Sequence, residues 1–149
     1  MPGTQTIRAG LAALVTLAAV AASAGEGAAV REAGDYAVHY NAMPAERLDP
    51  ELAARYGLPR EPGRCVVTVA VVERDSGVTV HAGIMASATR PDGRMHHIEM
   101  RVVSGDGGVY YVGDVEIGSA RELEFELEVR PDPSMPPQTI RFTRSFSDS

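Results

Sequence analysis

Five soft or imidazole side chains fall between positions 85 and 100, where they form a dense group of candidate metal ligands. They are Met85, Met95, His96, His97 and Met100. Thioether and imidazole donors together favour copper, and Cu(I) in particular, because a soft cation prefers soft ligands. The group suggests copper binding, with His97, Met85 and Met95 as the candidate ligands.

The spacing of this group can be tested against a predicted β-hairpin. Pro91-Asp92-Gly93 fits a three-residue loop, with Gly in the left-handed position. This loop pairs Ala86 with Ile98, apolar against apolar, whereas a two-residue loop would set Ala86 against a glutamate. The pattern therefore predicts strands over residues 78–88 and 95–103, joined by the three-residue loop.

Only part of the group converges on this register. Met85 and His97 share the solvent-facing side as diagonal neighbours, about 7–8 Å apart, and Met95 lies two residues from His97. Met85 and Met95 are roughly 13 Å apart by strand rise, while Met100 and His96 are expected to point into the core. Two or three ligands at most can meet one ion. The alternative, which we favour, is a core methionine, a loop-end methionine and solvated histidines.

The other side chains that could bind a metal or act in catalysis are weaker candidates. His39 and His81 are isolated and are interpreted as ordinary strand residues. The glutamates at alternate positions over 122–128 are too spread to wrap Ca²⁺, so a solvated face explains them better. Cys65 is the only cysteine, and a thiol inside an apolar strand has poor access and a raised pKa. Since no catalytic motif is present, we expect no enzyme activity, no catalytic residue and no cofactor.

The N-terminus has the pattern of a secretory signal peptide. A short region whose one charge is Arg8 precedes an uncharged run over residues 9–22, and Ala22-Ser23-Ala24 fits a small-x-small cleavage site. The run is too short to span a membrane as a helix, so we expect no membrane insertion after cleavage. The predicted segments are a cleaved signal peptide over 1–24, a flexible leader over 25–33, a single domain over 34–146 and a frayed tail over 147–149.

The charge balance excludes two classes of partner. The formal net charge is −6, and it becomes −7 when Arg8 is removed with the signal peptide. An acidic domain without a basic run does not suit nucleic acid or an anionic membrane surface.

Arg64–Arg74 is predicted to be the central strand, because its alternate residues are apolar on both sides and mostly β-branched. Six further stretches alternate in polarity, and a helix is signalled where Asp49 and Pro50 precede an apolar turn that ends at Gly57. The further strands are predicted over 34–41, 78–88, 95–103, 109–117, 122–129 and 140–146. In the strand over 95–103, Ile98, Met100 and Val102 are expected to be buried.

Seven short strands with turns at close spacing predict an all-β fold. We expect a seven-stranded antiparallel immunoglobulin-like sandwich with one short helix after the first strand. A partly open barrel is the alternative fold.

Several segments resemble an uncharacterised family of exported Gram-negative proteins, the domain of unknown function 4426. The resemblance is carried by Gly34–Pro44, Leu48–Leu52, Tyr56–Arg60, Tyr110-Tyr111, Leu123–Val129 and Ile140–Phe146. It implies a secreted, all-β module of the periplasm with no established activity, and it supplies no catalytic residues.

The sequence therefore suggests a non-catalytic periplasmic module that binds an unknown envelope protein or component. Loops on a rigid sandwich usually carry the binding, so contacts are expected at 43–49, 104–108 and 131–138, with Met135 exposed in the last of these. The alternative is a periplasmic copper-binding protein that uses His97, Met85 and Met95 on the hairpin over 78–103.

Overall fold

The computed structural model describes residues 28–105 and 107–146, and these residues form two antiparallel β-sheets and one short α-helix. The predicted all-β sandwich is confirmed. Nine strands are found in the described residues where seven were expected. They are β1 (Ala29–Ala33), β2 (Tyr36–Pro44), β3 (Arg64–Glu73), β4 (Gly83–Thr89), β5 (Met95–Ile98), β6 (Arg101–Gly105), β7 (Gly108–Glu116), β8 (Glu122–Arg130) and β9 (Gln138–Ser145).

The strands divide into a five-stranded sheet of order β1-β2-β3-β7-β6 and a four-stranded sheet of order β5-β4-β8-β9. The facing sides of the two sheets share one apolar core, in which Phe125, Leu127 and Ile140 of the four-stranded sheet are fully buried. Phe125 stacks on Phe142, with ring centroids 5.0 Å apart. The tilted Tyr40 ring meets Phe142 at 4.9 Å, so aromatic contacts join β2 to the opposite sheet.

The central position of β3 is confirmed. It pairs with β2 along one edge and, over Arg64–Val69, with β7 along the other. Beyond Val69 the second edge bonds to the segment before β4, where Glu73 N–H donates to Val78 O at 2.9 Å. Cys65 and Val67 face the inter-sheet core, whereas Val66 packs on the opposite side against Met43 and Val112, beneath the helical segment.

The helical segment forms where the capping signals predicted it. A one-turn 3₁₀ helix (Ala45–Arg47) precedes α1 (Pro50–Tyr56). Asp49 Oδ1 accepts hydrogen bonds from the backbone N–H groups of Glu51 (2.8 Å) and Leu52 (3.4 Å). Gly57 ends the helix at φ 64°, in the left-handed region that glycine adopts without strain.

The hairpin between β4 and β5 has the predicted loop and register. Arg90 N–H donates to Arg94 O at 2.9 Å, and Gly93 has φ 88°. Ala86 pairs with Ile98, as the apolar pattern required. The residues on this hairpin therefore face the sides that the sequence assigned to them.

The segment expected to be a flexible leader is partly a strand. Its last five residues form β1, which pairs with β2 through a tight turn at Gly34 (φ 62°). Polar and small residues at this sheet edge gave no strong local strand signal, and the pairing with β2 supplies the order instead. The predicted signal peptide, residues 25–27 and the tail over 147–149 lie outside the described residues.

The strand expected over 78–88 begins only at Gly83. The preceding residues cross from one sheet to the other, because their backbone groups bond to the five-stranded sheet. Val80 N–H donates to Val71 O, and Ala82 N–H donates to the Tyr111 hydroxyl, both at 2.8 Å.

The strand expected over 95–103 is two strands in different sheets. β5 ends at Ile98 in the four-stranded sheet, and β6 starts at Arg101 in the five-stranded sheet. Val102, expected to be buried, is 54% exposed because it lies on an edge strand. Met100 is half-buried and packs against the core as expected.

The crossing from β5 to β6 passes closely over Gly113 of β7. A Cβ atom at Gly113 would lie 2.8 Å from each of Glu99 O, Ile98 Cγ2 and Met100 Sδ. Since two of these atoms belong to buried or packed side chains and one to the backbone, the position accepts no side chain without displacement.

We expect Gly113→Ala to lower the free energy of unfolding by about 2 kcal/mol, because overpacking of this size typically costs that much. Gly105→Ala is the matched control, since nothing lies within 4 Å of its Cβ position. Urea unfolding with an unchanged slope m measures both. Equal midpoints for the two variants would contradict the account of the crossing.

Candidate metal-binding face

Met85, His97 and Met95 lie on one exposed surface, the outer face of the four-stranded sheet. Ser87 pairs with His97 and Thr89 pairs with Met95. Because side chains alternate along a strand, Met85 shares the face of Ser87 and Thr89. Met85 is 58% exposed and Met95 is 68% exposed, and His97 is also exposed. We call these three residues the Met/His row.

The register fixes the order within the Met/His row. His97 and Met95 are two residues apart on β5, about 7 Å by strand rise, and Met85 is a diagonal neighbour of His97, about 7–8 Å away. His97 therefore lies between the two methionines, which are roughly 13 Å apart along the strands. An ion bound at the His97 imidazole would need one or both thioether side chains to turn towards it.

Carboxylates flank the Met/His row on its other side. Met85 pairs with Glu128, and Ser87 pairs with Glu126, on the neighbouring strand β8. Glu126 accepts a hydrogen bond from Arg141 Nε at 2.8 Å. The sequence did not show this adjacency, because the pairing of β4 with β8 joins distant segments. It gives the face a negative potential that favours a cation.

His96 does not belong to the row. It pairs with Ala88 on the other side of β5, where it was expected to enter the core. Instead it is exposed at the end of the sandwich, and its Nε2 accepts from Arg90 Nε at 3.2 Å. Arg90 also donates to Ile117 O at 2.9 Å, so this guanidinium ties the hairpin to the β7–β8 connection.

The remaining histidines lie elsewhere. His39 pairs with Ala70 in the five-stranded sheet, and partial burial lowers its pKa. His81 is exposed on the segment that crosses between the sheets. Among residues 28–105 and 107–146, no group of three or more His, Cys, Asp or Glu side chains is placed to hold a metal.

Cys65 sits in the core and contacts no solvent. Burial raises the pKa of its thiol to about 12, because a thiolate would lose its hydration. Its Sγ lies 3.8 Å from Val66 O. This environment disfavours both metal ligation and nucleophilic attack, each of which requires the thiolate.

The three candidate contact loops do not meet at one end of the sandwich. The loop over 131–138 lies beside the β1–β2 turn, where Met135 Cε is 3.4 Å from the Cβ position of Gly34. The start of β7 lies at that same end, because Tyr111 pairs with Val69 of β3 and the end of β3 pairs with Tyr36, next to the β1–β2 turn. Residues 43–49 enter α1 at the opposite end. Met135, expected to be exposed, is half-buried by its contact.

The described residues contain no helix long and apolar enough to cross a membrane. A family model, "Domain of unknown function (DUF4426)", matches residues 30–148. No curated protein matches the sequence.

Solved structures share the fold. A DUF4426 family protein from Pseudomonas aeruginosa is 31% identical, with a TM-score of 0.71, and the match covers 84% of this chain and 99% of that one. The copper-bound variant of FetP from uropathogenic Escherichia coli is 10% identical, with a TM-score of 0.56 and coverage of 79% and 93%. FetP as isolated, expressed in the E. coli periplasm, gives 10% identity, a TM-score of 0.58 and coverage of 80% and 93%.

The likeness to FetP extends to the fold alone, since so few residues are shared. The family model covers residues 30–148 of this chain, the Pseudomonas structure matches over 99% of its own length, and both give the same family. This chain belongs to the DUF4426 family, whose function is unknown.

Proposed function

We propose that this chain is a non-catalytic binding protein of the periplasm, and that it binds Cu(I) on the outer face of the four-stranded sheet. One observation carries the proposal: the two strongly exposed methionines of the described chain flank an exposed histidine on a single sheet face. Export through a cleavable signal peptide is part of the proposal and rests on the N-terminal sequence.

The donor set favours Cu(I) over other metals. Two thioethers and one imidazole suit a soft monovalent cation with few ligands, whereas Cu(II) prefers a tetragonal set of nitrogen and oxygen donors. Ca²⁺ needs six to eight oxygens, and Glu126 is already engaged by Arg141. The copper in the FetP variant belongs to that protein, and the proposal here rests on the donors of this chain.

The surface is suited to binding because nothing helical covers it. In the part of the chain that the structure describes, α1 packs on the five-stranded sheet, which leaves the outer face of the four-stranded sheet without a helix. Exposed donors on two paired strands are also held at fixed separations, so part of the ordering cost of binding is met by the fold.

The non-catalytic part of the proposal is supported by Cys65, the one side chain in the chain with thiol chemistry. It is buried and held as the neutral thiol. Covalent catalysis by this thiol is therefore disfavoured, which supports binding as the role of the protein.

We expect the protein to bind one equivalent of Cu(I), with His97→Ala, Met85→Ala and Met95→Ala each weakening the affinity at least about tenfold, because each removes a first-sphere donor. Competition against a colorimetric Cu(I) chelator measures the affinity. His81→Ala is the matched control, since it removes an exposed histidine away from the face. Affinities equal to wild type in all three row variants would refute the site.

Cys65 generates a prediction at high pH. Its folded-state pKa is raised from 9.0 to about 12, so above pH 9 the unfolded chain releases a proton that the folded chain retains. The stabilising contribution is complete below pH 9 and is lost as the pH rises towards 12.

We therefore expect the free energy of unfolding to fall above pH 9 by about 1.4 kcal/mol per pH unit more steeply in wild type than in Cys65→Ala. Urea unfolding at several pH values measures the two slopes. Parallel slopes would show that the thiol ionises as readily in the folded protein as in the unfolded chain, and would contradict the raised pKa of the buried Cys65.

A second candidate function is attachment to an envelope protein through the end of the sandwich that carries Gly34. Both the start of β7 and the loop over 131–138 lie there, and β6 is an edge strand among the described residues. The loop over 43–49 lies at the other end and is no part of this candidate.

This candidate is tested by a photo-crosslinking residue at Pro136, which is exposed in the loop over 131–138. In the native envelope we expect a crosslinked partner at Pro136 and none at Glu61. Glu61 is an exposed control position at the opposite end of the sandwich, the end that carries α1. Equal yields at the two positions would speak against a contact at the Gly34 end.

A further inference from the structure

The methionines of the described residues fall into two environments. Met43 is 3% exposed beneath the helical segment, while Met100 and Met135 are half-buried by packing contacts. Met85 and Met95 alone are strongly exposed among these five. The two most exposed methionines are therefore the two that flank His97.

We propose that Met85 and Met95 form a methionine-oxidation site, and that their oxidation by peroxide in the copper-free protein prevents Cu(I) from binding at the Met/His row. The inference rests on the proposed Cu(I) binding and adds a chemical control of it. Oxidation of a thioether follows its exposure, so an oxidant in the surrounding solution reaches these two sulfur atoms first.

The chemistry is a two-electron transfer to peroxide. A sulfur lone pair attacks one oxygen of H₂O₂, an S–O bond forms and the O–O bond breaks. The proton on the attacked oxygen passes to the second oxygen, which leaves as water. Sulfur is oxidised to the sulfoxide and peroxide is reduced. The product presents a polar S=O group in place of a soft sulfur lone pair, and this donor no longer suits Cu(I).

Because Met85 and Met95 lie on the surface, their oxidation is expected to change metal binding and not the stability of the fold. Their side chains stand on a solvent-facing surface and pack into no core cluster. A polar sulfoxide at Met43 would disrupt apolar packing, whereas at Met85 or Met95 it remains hydrated. The fold is therefore expected to survive oxidation of the row.

What remains after oxidation differs in kind from the original site. The His97 imidazole is unchanged, and Glu128 still pairs beside Met85. Glu128 lies two strands away from His97, across β4, so the imidazole is left without a soft partner, and a lone imidazole suits borderline divalent ions more than Cu(I). We expect the loss of affinity to be larger for Cu(I) than for Zn²⁺ or Cu(II).

The experiment treats the purified full protein with limiting H₂O₂ in the absence of copper, and mass spectrometry of its peptides gives the order of oxidation. We expect Met85 and Met95 to be oxidised well before Met43, Met100 and Met135. Oxidation of Met100 or Met135 at an equal rate would overturn the assignment of the site.

Cu(I) affinity and thermal unfolding are then measured on the same oxidised sample. We expect affinity to fall at least about tenfold, with the unfolding midpoint unchanged, and to return after treatment with the two methionine sulfoxide reductases that act on opposite epimers. The double variant Met85→Gln/Met95→Gln, which carries a polar side chain of similar length, should reproduce the loss without oxidant.

Full Cu(I) affinity with both sulfoxides present would overturn the control mechanism and leave the proposed function intact. Failure of the untreated protein to bind Cu(I) would overturn both, and the order of oxidation would show whether the two thioethers are still the accessible ones.

Discussion

The fold depends on one strand that must be covered on both faces. β3 carries apolar side chains on both faces, from Cys65 to Val72. Leaving either face in water would expose several of these side chains, and each would lose about 1.5–3 kcal/mol of burial free energy. The four-stranded sheet covers one face and the 3₁₀–α1 segment covers part of the other. β2, β7 and the segment before β4 bond to the backbone of β3 along its two edges, so the remaining elements are arranged around it.

This arrangement makes the two sheets unequal, and the difference determines where binding can occur. The helical segment lies on the five-stranded sheet because the second face of β3 belongs to that sheet. The four-stranded sheet has one apolar face, turned inward, and its outer face carries polar, acidic and thioether side chains that β4 and β8 hold in register. The Met/His row is thus presented on a surface whose geometry is fixed by the core beneath it.

Local patterns predicted the parts of the fold that local interactions determine. The caps of α1, the loop at Gly93 and the pairing of Ala86 with Ile98 follow from nearby residues, and the row on the hairpin follows with them. Alternation shows which residues share a face but not which sheet a strand joins, so the division at residues 99–100 was missed. The sequence signal for this division was Gly113, which leaves the inward face of β7 without a side chain where the crossing passes. The carboxylates beside Met85 are brought there by the pairing of β4 with β8, which are far apart in the chain, and no sequence signal indicated this adjacency.

The most direct test of Cu(I) binding by the row is an NMR titration with Ag(I), a soft analogue of Cu(I) that does not cycle between oxidation states. Methionine ε-methyl groups are labelled with carbon-13, so each thioether reports separately. The account predicts that one equivalent shifts the Met85 and Met95 signals and leaves those of Met43, Met100 and Met135 in place. Unmoved signals for Met85 and Met95, or shifts confined to the other methionines, would contradict it.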